Sequence, residues 1–348
     1  MTGATTIDRG IDFDIARLDE YLGRTIGGAR DVTEVERTQG GMSNPTYFVR
    51  RGGWRAVLRK QPNASLMPSA HAIDREFRVL TALQGSTVPA PKPLHYCADR
   101  EILGTPFYLM ERLDGRVFHE FSTPGLKRDE RWQLFEAMCA TMAAIHRLDF
   151  AALGLGDYGR PGNYFARQLK RWSGQWTQFR RDDDDNPDLD RIVRWLSERV
   201  PDSELLTLCH GDFRIANIMF HPNEPRVIGV LDWELSTLGH PLVDLAFNSQ
   251  AWRMAPNENG GLLGLPLDEL GIPPESRYLE LYYDLAGSTE RLTTFHQVFA
   301  MFRGAVGSAG VAVRGEAGNG VLPDAARVGR QLALAYARRG AALIEGDT

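Results

Sequence analysis

The sequence predicts an α+β protein with a small β-rich N-lobe and a larger helical C-lobe. Three observations predict it. Strand-like texture runs from Val32 to Leu58 and returns at Phe107–Glu111, with one helical pattern between. After Asp114-Gly115 the apolar residues recur at helical spacing. Within that helical part lies a short β island, Asn217–Phe220 and Val227–Asp232, joined by the turn His221–Pro225.

Taken in order, Asp12 is placed to cap a short amphipathic helix carrying Ile15, Leu18 and Leu22. Val32–Arg37 and Thr46–Arg50 read as strands flanking the turn-rich segment Gln39–Asn44. Arg51-Gly52-Gly53 leads into Trp54–Arg59, and two β-rich runs around a Gly-Gly turn read as a hairpin. Pro68–Leu83 reads as a helix capped by Ser69, with Ile73, Phe77, Leu80 and Leu83 on one face. The proline-rich stretch Val88–Leu94 reads as a loop. Asp129–Leu148 is a long helix with Leu134, Met138, Met142 and Ile145 aligned; Arg191–Arg199, Ser276–Leu285, Leu292–Phe302 and Asp324–Ile344 are others. The acidic run Asp182–Asp185 reads as an exposed loop.

At roughly 150 residues per domain, 348 residues predict about two domains. An apolar content of 43% supports a sizeable core. The net charge of −5 argues against a nucleic-acid binder, which needs a basic face to neutralise phosphates. No run approaches the ~18 apolar residues of a membrane span, and no signal peptide is visible at the start. Cys97, Cys139 and Cys209 form no CxxC pair, which fits a reducing cytoplasm and gives zinc little support. Residues 1–110 carry 14 basic and 12 acidic side chains against 26 and 33 in the remainder, so the second part can face a cationic substrate or simply present a solvated surface.

The most informative segment is His210-Gly211-Asp212-Phe213-Arg214-Ile215-Ala216-Asn217. An Asp and an Asn five apart, then a strand, a turn, a second strand and Asp232, can place three oxygen-bearing side chains around one point. A loop aspartate can accept a proton from a substrate hydroxyl. An amide oxygen and a second carboxylate can hold Mg²⁺, which prefers oxygen ligands. Phosphoryl transfer needs that equipment. Gly40–Asn44 lies between two strands, where a phosphate cover belongs: glycines permit close backbone approach and Ser43 can donate to a phosphate oxygen.

This HGDxxxxN segment, followed by Leu231-Asp232-Trp233-Glu234, resembles the aminoglycoside phosphotransferase and choline kinase branch of the protein-kinase-like superfamily, over about Val32–Asn248. The resemblance implies a bilobal protein-kinase-like fold, with a nucleotide-binding N-lobe over 1–111 and a helical C-lobe over 112–348 that carries the catalytic loop and acceptor site. It implies ATP and Mg²⁺ in the cleft and phosphate transfer to a small hydroxylated molecule. Asp212 would be the catalytic base, Asn217 and Asp232 the magnesium ligands, Asp244 a structural residue bonding the loop, and His210 a holder of that loop. By similarity to the family's strand lysine, Arg59 would bind phosphate, with Lys60 as the alternative, and Glu76 would pair with that cation. Arg and Lys are not interchangeable there. The backbone of Glu111 and Leu113 would bond the adenine edge, and Met110 would line the pocket.

Gly154–Gly159 matches GxGxxG but follows a helix, so a dinucleotide site is not indicated, and no P-loop occurs. Acceptor residues are expected near Tyr158–Trp176 and Ser276–Arg303. Aminoglycosides, or amino alcohols held on Trp172, Trp176 or Trp233, stay open. A hydroxyacyl-type metabolite ranks first among the three, because the motif segments look most like the kinase-like domain fused to some acyl-CoA dehydrogenases. The alternative function is a nucleotide-binding regulatory module without catalysis.

Overall fold

A computed structural model of the chain describes residues 10–27, 31–38, 44–63, 73–160, 162–180, 186–317 and 324–347. The chain divides into two compact units, one of residues 1–85 and 90–114, the other of 86–89 and 115–348.

The first unit comprises α1 (Ile15–Thr25), β1 (Thr33–Arg37), β2 (Thr46–Arg51), β3 (Trp54–Lys60), α2 (Ile73–Ala82), β4 (Pro93–Cys97), α3 (Arg100–Leu103) and β5 (Phe107–Glu111). Its five strands form one antiparallel sheet in the order β1-β2-β3-β5-β4. The hairpin expected around Gly52-Gly53 is present, with Arg51 opposite Trp54 and Thr46 opposite Arg59. One sheet face buries Tyr47, Val49, Leu58 and Leu109 against Leu18 and Leu22 of α1. Because side chains alternate along a strand, Leu58 and Lys60 face α1 while Arg59 turns to the other side.

Two expectations fail here. Asp12 does not cap α1: Asp14 does, accepting from the Ala16 amide at 2.8 Å. Asp12 instead accepts from the Tyr47 hydroxyl at 2.6 Å and the Lys60 ammonium at 2.9 Å. The proline-rich stretch also does not stay a loop, because β4 starts at Pro93. As an edge strand it has no ladder partner on one side, so a missing N–H is tolerated. The Ser69 cap lies outside the described residues.

The second unit comprises β6 (Arg116–Val117), α4 (Arg128–His146), α5 (Tyr164–Phe179), α6 (Pro187–Ser197), β7 (Thr207–Cys209), β8 (Ile218–Phe220), β9 (Val227–Val230), β10 (Thr237–Gly239), α7 (Leu242–Ser249), α8 (Leu267–Leu270), α9 (Glu275–Ala286), α10 (Thr294–Glu316) and α11 (Ala325–Gly346). Its core joins apolar faces of α5, α6, α10 and α11, including Phe165, Trp176, Ile192, Phe299, Phe302 and Tyr336. The β island is a three-stranded sheet, β6-β8-β9, and a separate antiparallel pair joins β7 to β10. Residues 86–89 belong with this unit because the Val230 amide donates to the Pro89 carbonyl at 2.8 Å.

α10 runs well past the expected Phe302. It continues through Gly304, Gly307 and Gly310, and a Cβ at Gly304 would lie 2.7 Å from the Tyr336 ring. At Gly304 the missing side chain lets α11 approach. Among the described residues, no helix is long and apolar enough to cross a membrane.

Candidate functional site

In the second unit the loop from β7 to β8 carries the His-Gly-Asp segment, and α7 anchors it. The two oxygens of Asp244 accept from the amides of His210 and Gly211 at 2.6 and 2.8 Å. Burial pushes the Asp244 carboxyl up, but bonds and charge from His146, the charge of His210 and the Gly211 amide together hold it below its ordinary value. One turn along α7, Asn248 donates to the Phe213 carbonyl at 3.2 Å.

Gly211 cannot be another residue. Its φ is +84°, and a Cβ would sit 2.4 Å from the Leu235 carbonyl oxygen. His210 is fully buried. Its ring bonds the Leu231 carbonyl at 2.8 Å and packs on Trp233 with centroids 4.7 Å apart. His210 therefore ties the loop to the segment after β9.

Three of the expected site residues come together at this place. Asn217 donates through Nδ2 to both the carbonyl and the carboxylate of Asp212, at 2.9 and 2.8 Å. With its nitrogen used twice, the amide oxygen is left to face away from Asp212. Ile218 pairs with Val230, and the Leu231 amide donates to the Asn217 carbonyl at 2.8 Å, which brings Asp232 up beside them. Asp232 is left-handed, with φ +63° and ψ +63°. Such a backbone costs an L-residue energy and is kept where a side chain must point a particular way.

Burial raises the Asp212 pKa. The Arg214 cation lowers it, and the Asp232 carboxylate raises it further. The Asp212 side chain is still 19% exposed, so one side of the carboxylate is open to a reactant. A carboxylate poised in this way can take a proton from a hydroxyl. Arg214, whose Nε lies 3.3 Å from Asp212, was missed in the sequence. Its signal is a cation inside the motif, two residues after the aspartate. Arg214 and Ile215 also line a recess of about 20 Å³ with Gln250, Met254, Asn259 and Tyr336, large enough for one water.

In the first unit, Arg59 and Glu76 meet. Arg59 Nε is 3.1 Å from Glu76 Oε2, and the side chains are 7% and 2% exposed. Lys60 goes elsewhere: its fully buried ammonium bonds Asp12 and, at 2.8 Å, Asn63. Glu111 ends β5 opposite Ala56, and its amide donates to the Lys92 carbonyl at 2.8 Å; Leu113 lies in the segment that follows. Ser43 lies outside the described residues. Among the tryptophans offered for a cationic acceptor, Trp233 is buried against His210 and Trp176 belongs to the core. Trp172 already has arginine guanidiniums beside it.

Residues 34–262 match the phosphotransferase enzyme family. Acyl-CoA dehydrogenase family member 11 of Rattus norvegicus is 41% identical over 297 residues, covering 83% of this chain and 38% of the relative. Member 10 of Mus musculus is 36% identical over 318 residues, covering 90% and 30%. The chain thus spans about two fifths or less of these curated relatives. A solved protein of Ralstonia eutropha JMP134, provisionally named an aminoglycoside phosphotransferase, is 37% identical with a TM-score of 0.83 over 96% of this chain and 99% of its own. A thermostable mutant of aminoglycoside phosphotransferase APH(4)-Ia, solved with ADP and hygromycin B, shares the fold at 20% identity, with a TM-score of 0.62 over 93% and 98%. The expected protein-kinase-like α+β fold is the fold observed, and the chain belongs to the phosphotransferase enzyme family.

Proposed function

We propose that the chain transfers the γ-phosphate of ATP to a hydroxyl of a small molecule. Residues 1–111 hold the nucleotide, and 112–348 carry the catalytic loop and the acceptor site. Asp212 aligns the acceptor hydroxyl and takes its proton. Arg214 keeps the Asp212 carboxylate oriented and favours its ionised form. Asn217 and Asp232 are the Mg²⁺ ligands, and their chemistry fits: an amide oxygen freed by two N–H bonds to Asp212 and a carboxylate turned by a left-handed backbone are hard oxygen donors. Mg²⁺ bound there neutralises charge on the phosphates.

Arg59, braced by Glu76, supplies a cation to the phosphates. Ser43 belongs to the glycine-bearing cover over them, and the backbone of Glu111 and Leu113 bonds the adenine edge. Relatives of the same fold are known with ADP and with GDP, which supports a purine nucleotide here. Among a hydroxyacyl-type metabolite, an aminoglycoside and an amino alcohol, the first is favoured as acceptor, because the curated relatives are acyl-CoA dehydrogenase family members. The lack of a membrane-spanning helix among the described residues and the paucity of cysteine support a cytoplasmic place of action.

The observation that carries the reading is the clamp of Asn217 onto Asp212, with Asp232 brought alongside by the β8–β9 pairing. Asp212→Ala tests it. Turnover should fall by about 10²–10⁴-fold or more while Mg-ATP binding, read by calorimetry, stays within about threefold. Unchanged turnover sinks the assignment. Mg-ATP binding by the wild type without acceptor-dependent ADP release favours a regulatory module instead.

A further inference from the structure

The second unit contains a buried cation that no carboxylate among the described residues balances. Arg303, in α10, is 6% exposed. Its Nη2 donates to the Gly211 carbonyl at 2.6 Å, while Nε and Nη1 have no acceptor among the described residues. Two rings lie beside it, with the guanidinium carbon 5.6 Å from the Trp172 centroid and 5.3 Å from that of Phe247. The indole N–H of Trp172 is also buried without an acceptor. Arg171, exposed and next in the chain, places a second guanidinium 5.6 Å from the same indole. Burial and the Arg303 charge pull Arg171 below its ordinary pKa. No carboxylate among the described residues pairs with either arginine. Burying an unpaired guanidinium is costly, and buried donors left without acceptors point to a missing ligand or ion.

We propose that this corner, where α5 and α10 meet beside Gly211, binds an anionic group, a carboxylate or phosphate, carried by the phosphate acceptor. The choice of ligand rests on the phosphotransfer reading; the anion site itself does not. Arg171 is the exposed member of the group, and the Trp172 indole N–H and Arg303 are its buried donors. Gly211 precedes Asp212, so an anion anchored on Arg303 leaves a hydroxyl of the same molecule free to reach Asp212. The excess of acidic residues after position 110 would suit a polycation, but the local charge here is positive. A cationic acceptor approaching Trp172 meets two guanidiniums already beside the ring.

The test pairs acceptors that differ only in charge. Short hydroxycarboxylates and their primary amides are titrated into the full chain with Mg²⁺ and a non-hydrolysable ATP analogue, and turnover is followed with Mg-ATP. Inorganic phosphate is titrated alone. A carboxylate should bind at least about tenfold more tightly than its amide. That preference should shrink to about twofold in Arg303→Met, recover in part in Arg303→Lys, and weaken in Trp172→Phe, which keeps an aromatic ring but loses the N–H donor. Equal binding of acid and amide, a preference that survives Arg303→Met, or no binding of any anion overturns the site. Phosphate bound through Arg303, with no hydroxycarboxylate bound, makes a free anion the ligand and overturns the acceptor assignment. Carboxylate binding that depends on Arg303, with no phosphate transfer by the wild type, keeps the site and overturns the phosphotransfer reading.

Discussion

Around Asp212, burial and the Asp232 carboxylate raise the pKa while Arg214 opposes them. Removing the cation should therefore move the acidic limb of the kcat/KM profile to higher pH. Arg214→Met is expected to shift that limb upward and to lower kcat by about tenfold or more. An unshifted limb would mean that another group titrates there. The two cations of β3 separate by the same reasoning. Lys60→Met strands the Asp12 carboxylate and should cost roughly 2 kcal/mol in urea unfolding, with Mg-ATP affinity unchanged. Arg59→Met should weaken Mg-ATP binding by about tenfold or more. His296 titrates in folding rather than catalysis. Burial first, and the nearby His240 charge second, lower it from 6.5 to about 3. The unfolded chain binds that proton more readily, so stability is full above about pH 6.5 and is lost as pH falls toward about 3. Urea titrations at pH 7 and 4.5 should show a smaller acid loss in His296→Gln than in the wild type. The convergence of Asp212, Asn217 and Asp232 was legible in sequence because a loop aspartate, an Asn five residues on and an Asp after a tight hairpin fix their order and spacing. Arg303 was not, because nothing but its burial without a counter-charge sets it apart.

Helices and strands were legible wherever apolar spacing alone decides them, as in α4 and α11, and became obscure where tertiary contact overrides local preference. α10 shows why. Gly304 and Gly315, destabilising in an isolated helix, serve to bring α11 close. A Cβ at Gly329 would meet the Ala312 amide nitrogen at 2.6 Å and the Ser308 carbonyl at 2.7 Å, both main-chain atoms of α10. Backbone cannot yield as a side-chain tip can. Gly329→Ala should destabilise the second unit by about 1–3 kcal/mol in thermal or urea unfolding, even though alanine is the better helix former. A stabilised variant would mean that the two helices are not in such close contact. β4 is the complementary case. Three prolines between Pro89 and Pro93 mask a strand that forms because β5 offers it a partner.

Across the whole molecule, net charge and the charge beside the loop differ in sign. The excess of acidic residues after position 110 is spread along the chain, whereas the groups beside Gly211 and Asp212 include Arg214 and Arg303. Few positions decide the proposed reaction, and the helices serve to hold them. Ligand binding should be felt by the molecule as a whole: at a Mg-ATP concentration of about 100 times Kd, the protein should gain about 2.7 kcal/mol against unfolding. Arg59→Met should lose about half of that gain or more at the same concentration, and an undiminished gain would remove Arg59 from the nucleotide site. The most direct measurement follows a γ-labelled phosphate from Mg-ATP into a panel of hydroxylated small molecules, with the wild type and Asp212→Asn side by side. The account predicts label on a hydroxyl oxygen of at least one acceptor with the wild type and almost none with the variant. Label that stays on ATP or passes only to water with the wild type, or transfer by the variant at the wild-type rate, would contradict it.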